Sequence, residues 1–70
     1  MIWASSKGRR VLAALCRIGW GIRARKGTSH KVLVREGWPH YVFPFGDDEE
    51  IGPRMLARIA KHTGLRPRDI

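Results

Sequence analysis

The hydrophobic pattern changes period at Gly19, and this restricts the fold more than any other feature of the sequence. Upstream, Val11, Leu12, Leu15 and Ile18 recur at the spacing of one helix face. Downstream, Trp20, Ile22 and Ala24 alternate with Gly21, Arg23 and Arg25, the period-two pattern of a half-buried strand with one cationic face. A chain that switches period in this way builds a packed domain of helix and strand, not a lone cationic helix lying on a membrane. At 70 residues it has material for one domain, expected over residues 1–70 with a core over residues 6–65. Folding at this length buries only about 60% of the surface that the unfolded chain exposes.

The first helix is expected over residues 7–18. Ser5 and Ser6 can cap it, Gly19 is its left-handed stop, and Lys7, Arg9, Arg10 and Arg17 take the solvent side. Cys16 falls beside Leu12 at the edge of the apolar stripe, where a free thiol behaves as a small hydrophobe. The strand that begins at Trp20 ends in a turn at Lys26, Gly27 and Thr28. A second strand, residues 30–35, offers Val32 and Val34 to one face and Lys31, Leu33 and Arg35 to the other; the apolar pair is taken as inward.

Glu36-Gly37-Trp38-Pro39 has the length of a hairpin connection, and the third strand turns Tyr41, Phe43 and Phe45 inward. Pro44 cannot donate a ladder hydrogen bond, which puts this strand at a sheet edge or its N–H side toward solvent. Asp47, Asp48, Glu49 and Glu50 precede a second helix, where negative charge favours the macrodipole. Gly52 caps that helix and Pro53 opens it. Ile51 and Leu56 fall at the staple positions, Leu56, Ile59 and Ala60 form its buried stripe, and Gly64 and Pro67 end it. The expected fold is therefore α+β in the order α-β-β-β-α, with a three-stranded antiparallel sheet and two helices on one of its faces.

Fourteen Lys and Arg against six Asp and Glu give a net charge of +8, and the acids all lie in the second half of the chain. Such a surface attracts phosphates or acidic membranes. A single cysteine makes no intramolecular disulfide, and with three scattered histidines it does not match zinc-ligand spacing, so no metal and no cofactor are expected. Four consecutive acids lack the spaced loop of a calcium site. The longest apolar stretch, residues 11–22, is broken by Arg17, and residues 1–7 lack a signal peptide's apolar region and cleavage site. A cytoplasmic protein without a membrane segment is expected.

The segment from Arg23 to Lys31 concentrates four cations, two hydroxyls and an imidazole around one turn. As a phosphate site, Gly27 lets the backbone approach an anion, Thr28 and Ser29 donate to phosphate oxygens, and Arg23, Arg25, Lys26 and Lys31 supply charge. As plain structure, the same residues make a solvated hairpin turn with charged flanks. His30 carries the same two readings. An imidazole there can take the proton from an RNA 2′-OH, or protonate a departing 5′-oxygen, with Lys31 or Arg25 stabilising the phosphorane. It can equally be a strand-start histidine that hydrogen-bonds locally. His62, in a last helical turn, complements the helix dipole.

More specific are Gly37-Trp38-Pro39, then Val42-Phe43-Pro44-Phe45, then Glu49-Glu50-Ile51-Gly52-Pro53-Arg54-Met55-Leu56-Ala57-Arg58-Ile59-Ala60-Lys61 and Thr63-Gly64-Leu65. Together with Lys26-Gly27-Thr28-Ser29-His30, these resemble the HicA-type toxins, the small mRNA interferases of type II toxin–antitoxin systems, over residues 6–70. The resemblance implies a fold like the double-stranded-RNA-binding domain and metal-independent endoribonuclease activity on mRNA. It also implies a catalytic histidine at His30, and a HicB-like antitoxin that covers the histidine and the basic face. The family has Gly directly before Ser-His, whereas Thr28 intervenes here, and many relatives carry a histidine where this chain has Gly46. The role of a second acid or base then falls to Lys31, His40, Tyr41 or water. The competing reading is a non-catalytic RNA-binding module, or a degenerate toxin, using the same basic face.

Overall fold

The structure is a computed structural model that describes residues 3–27 and 29–70; Thr28, expected in the turn, lies outside them. Its elements are β1 (Ser6–Lys7), α1 (Gly8–Arg17), β2 (Gly21–Lys26), β3 (His30–Val34), β4 (Tyr41–Phe43), β5 (Glu50–Ile51), α2 (Pro53–Thr63) and a final 3-10 turn, Pro67–Asp69. The sheet runs β2-β3-β4, antiparallel throughout, so β4 with its following Pro44 is an edge, as expected. Val11, Ala14 and Leu15 of α1 and Leu56 and Ile59 of α2 share one buried cluster with Leu33 and Phe43 of the sheet. Both helices thus cover one face of an α+β fold. Each fully buried Leu or Phe contributes about 1.5–3 kcal/mol relative to exposure.

The structure corrects the parity of β3. Leu33 is fully buried and Lys31 is 6% exposed, while Val32 and Val34 are only half-buried. Residues directly opposite in an antiparallel ladder share a face, and the register sets Phe43 across from Lys31 and Tyr41 across from Leu33. Phe43, 1% exposed, belongs to the helix-facing side, and it carries Lys31 and Leu33 inward with it. The apolar area of Phe43 and Leu33 together outweighs that of two valines. Tyr41 and Phe45 pack against the same core half-buried, Phe45 edge-on to Phe43 at 5.3 Å.

Strand β2 departs from simple alternation as well. Ile22 pairs with Leu33 and Ala24 with Val32, so Arg23 is an extra residue, a bulge, and the two apolar side chains fall on opposite faces. Ile22 shares the helix-facing side with Leu33, but β2 is an edge strand and the side chain stays exposed there. Cys16 is exposed too, outside the apolar stripe.

The start of α1 also differs from the expected serine cap. Ser6 is taken up by β1, which pairs Ser6 with Ile51 and Lys7 with Glu50, and the cap position falls to Lys7 with no side-chain hydrogen bond. The first helical amides are satisfied by the acidic loop instead: Gly8 N donates to Glu49 O at 2.8 Å and Arg9 N to Asp47 O at 3.1 Å. Gly8 is needed here, because a Cβ would run into the carbonyl of Gly46. The acids ahead of α2 are therefore bound to the start of α1. Arg9 pairs with Asp48, Lys7 lies 3.7 Å from Glu50, and the first turn of α2 contains no acid.

Helix α2 itself matches expectation: Gly52 at the N-cap, Pro53 at its first position, Ile51 and Leu56 both buried, and Gly64 left-handed at φ 78°. Beyond its end, the Trp20 indole donates to Thr63 O at 3.0 Å, and the Thr63 hydroxyl donates to Ile59 O at 2.7 Å and accepts from Leu65 N at 3.2 Å. Trp38 packs edge-on against Trp20 at 5.9 Å with the Arg35 guanidinium 5.1 Å above its ring.

Candidate nucleic-acid interface

The β2–β3 hairpin brings Lys26 and His30 directly opposite one another at its tip, separated along the chain by residues 27–29. Gly27 holds φ at +67°, the left-handed value that lets the chain reverse there without a Cβ clash. Cross-strand partners share a face with Cβ atoms about 4.5–5.5 Å apart, so the exposed ammonium of Lys26 and imidazole of His30 emerge side by side. By the same ladder, Ala24, Val32 and Val42 form the adjoining row of the outer face, away from both helices.

The remaining hairpin residues separate from this pair. Arg25 and Lys31 are opposite each other on the helix-facing side. Arg23 is exposed at the bulge, Arg25 is exposed, and Ser29 is half-buried in the turn. The Lys31 ammonium donates to Ser29 O at 3.2 Å. Among the described residues, Arg23, Arg25, Lys26 and Lys31 form no ion pair; the pairs that do form are Lys7–Glu50, Arg9–Asp48 and Arg66–Asp69. Asp48, Glu50 and Asp69 pair with cations outside the hairpin, which leaves its positive field intact.

The other titratable candidates lie apart from His30. His40 precedes β4, whose first residue is opposite Leu33; at about 3.3 Å per residue it stands roughly 13 Å along the strand from His30. Tyr41 is on the helix-facing row and stacks on His62 at 6.0 Å; burial raises its phenol above the usual tyrosine value, with Arg58 pulling the other way. Asp69 is held below the ordinary carboxylate range by hydrogen bonds from the Arg66 backbone and side chain. Among the described residues there is no cluster of three or more His, Cys, Asp or Glu able to hold a metal ion. A cavity of about 410 Å³ opens between the N-terminal segment and the final turn, lined by Trp3, Lys7, Arg10, Glu50 and Ile70 among others, and shares no residue with the hairpin. Among the described residues, no helix is long and apolar enough to cross a membrane.

Sequence reasoning missed the facing of Lys26 and His30 and the burial of Lys31. No signal within the strand gives either, because the parity of β3 follows from the register in which it pairs with Tyr41 and Phe43, and a slip of one residue reverses it. No curated protein and no solved structure matches the chain. A family model described as the HicA toxin of bacterial toxin–antitoxin systems matches residues 8–65, from the first residue of α1 through the sheet to the buried Leu65 behind α2. With more than half of its length matched across both helices and the whole sheet, the chain belongs to the HicA toxin family of bacterial toxin–antitoxin systems.

Proposed function

We propose that this toxin is a metal-independent endoribonuclease that cleaves mRNA with His30. The observation that carries the reading is the exposed imidazole of His30 directly across the ladder from Lys26, at a turn rich in unpaired cations. Neutral His30 takes the proton from a 2′-OH, the resulting oxyanion attacks the adjacent phosphorus, and the 5′-oxygen leaves with a proton from the imidazolium or from water. A 2′,3′-cyclic phosphate and a 5′-OH result. Lys26, on the same face, is the cation best placed to stabilise the phosphorane. Arg23, Arg25 and the turn residues Gly27, Thr28 and Ser29 bind the flanking phosphates.

Of the groups considered as the complementary acid or base, Lys31 is engaged by Ser29 and faces the helices, and Tyr41 is stacked on His62. Water is left for that role. A HicB-like antitoxin neutralises the toxin by covering His30 and the adjoining outer face, where Val42 is 50% exposed. The second reading, an RNA-binding module or a toxin with lost activity, is favoured by one observation: His40 and His62 both lie away from the hairpin.

The deciding experiment is RNA cleavage by the purified chain in EDTA beside the His30→Ala variant, with folding and RNA binding checked for both. Cleavage that survives EDTA and disappears in the variant supports the ribonuclease. Binding without cleavage by either protein favours the module.

A further inference from the structure

Lys31 is placed at a cost. Its position belongs to the helix-facing row with Leu33, it is flanked across the ladder by Phe43, and it is 6% exposed. Arg25, a like charge, is its partner on the other strand, an arrangement that destabilises a sheet. Among the described residues no carboxylate lies within ion-pair distance. What the row buries is the aliphatic stem of Lys31, and an apolar side chain of the same length would fill that place without setting a second cation beside Arg25. Its one hydrogen bond is to Ser29 O at 3.2 Å.

That bond ends on the peptide unit that leads into His30. The Ser29 carbonyl and the His30 amide nitrogen belong to one rigid plane, so fixing the oxygen from beneath the sheet fixes the orientation in which the His30 Cα leaves the turn. We infer that Lys31 is a positioning residue: it holds the Ser29–His30 peptide from the helix side and thereby aims the imidazole on the opposite face, without touching RNA. The inference rests on His30 being the reacting group, and it moves Lys31 from the phosphate-binding set to the support beneath it.

Lys31→Met tests this, since it keeps the length and removes the charge and the donor. The readouts are thermal stability, affinity for a labelled single-stranded RNA, cleavage rate at saturating protein, and backbone amide resonances of the hairpin. Stability should be unchanged or higher. Affinity should stay within about twofold while the cleavage rate falls at least tenfold, within the roughly 10²-fold that a misplacement near 1 Å can cost. The largest amide shifts should fall on Ser29 and His30, and Lys31→Arg, which keeps a donor, should recover part of the rate. Affinity falling in step with cleavage would make Lys31 a phosphate contact and overturn the inference. So would unchanged cleavage with unmoved hairpin amides. Should the wild-type chain cleave no RNA, the ribonuclease reading fails by itself, and the amide shifts and the stability still decide whether Lys31 holds the turn; unmoved Ser29 and His30 amides overturn it there as well.

Discussion

At one end of the three-stranded sheet the Trp20 indole donates to Thr63, the Thr63 hydroxyl ties two further backbone groups, and Trp38 closes over Trp20 and Gly64. At the other end, the hairpin carries the exposed cations Arg23, Arg25 and Lys26, a glycine at positive φ and an ammonium hydrogen-bonded to a carbonyl two residues away. The first end satisfies its polar groups inside the fold; the second leaves charge unneutralised and a turn held from below. Both are built on the same strands. Stability and binding chemistry are thus separable along one sheet, with the fold's cohesion concentrated where the aromatic side chains meet α2 and the reactive groups kept where few apolar contacts would be lost by changing them.

The comparison breaks most visibly if the wrong end responds to a substitution. His30→Ala should lower cleavage by about 10²–10⁴-fold, the worth of a positioned acid or base, with the melting temperature unchanged. A drop in stability of several degrees, measured by circular dichroism, would make the histidine structural. Trp20→Phe should do the reverse. It leaves a buried carbonyl without its indole donor, which costs about 1–3 kcal/mol, and at about 4–8 °C per kcal/mol for a chain of this size the melting temperature reports it directly. RNA affinity below the transition should be untouched.

Lys26→Ala sharpens the electrostatic half of the contrast. Titrations of RNA binding against salt should lose about 0.7 from the log–log slope, the contribution of one neutralised phosphate on a single strand. Asp48→Asn, which removes the exposed partner of Arg9, should cost no more than about 1 kcal/mol and less at high salt. The smallest effect concerns Tyr41. As the chain's single tyrosine it can be followed by tyrosinate absorbance, and its midpoint should lie above 10.0 because burial disfavours the phenolate. Because the folded value exceeds the unfolded one, the contribution of this group is fully present below the ordinary tyrosine pKa and is lost as pH rises from there through the folded value. A midpoint at or below the ordinary value would mean that the packing of Tyr41 on His62 is open to water.

Local sequence signals carried much of the architecture. Gly19 and Gly64 stopping two helices, Gly52-Pro53 opening the second, Pro44 beside an edge strand and Gly27 at the turn all act within a few residues of themselves, and so they were legible without a structure. The clustering of hairpin cations around His30, and the family resemblance over both helices and the sheet, were legible for the same reason. The parity of β3, the bulge at Arg23, the β1–β5 ribbon and the capture of the acidic loop by α1 were not. Those depend on which residue of a distant segment lies opposite, and a shift of one residue turns every side chain of a strand to the other face. The sequence alone determined the two helices, the three strands of the main sheet and the stops of both helices. Only the tertiary register decided that His30 and Lys26 share the outer face while Lys31 goes beneath it, because a strand's two faces are distinguished by the partner it pairs with and by nothing within the strand itself.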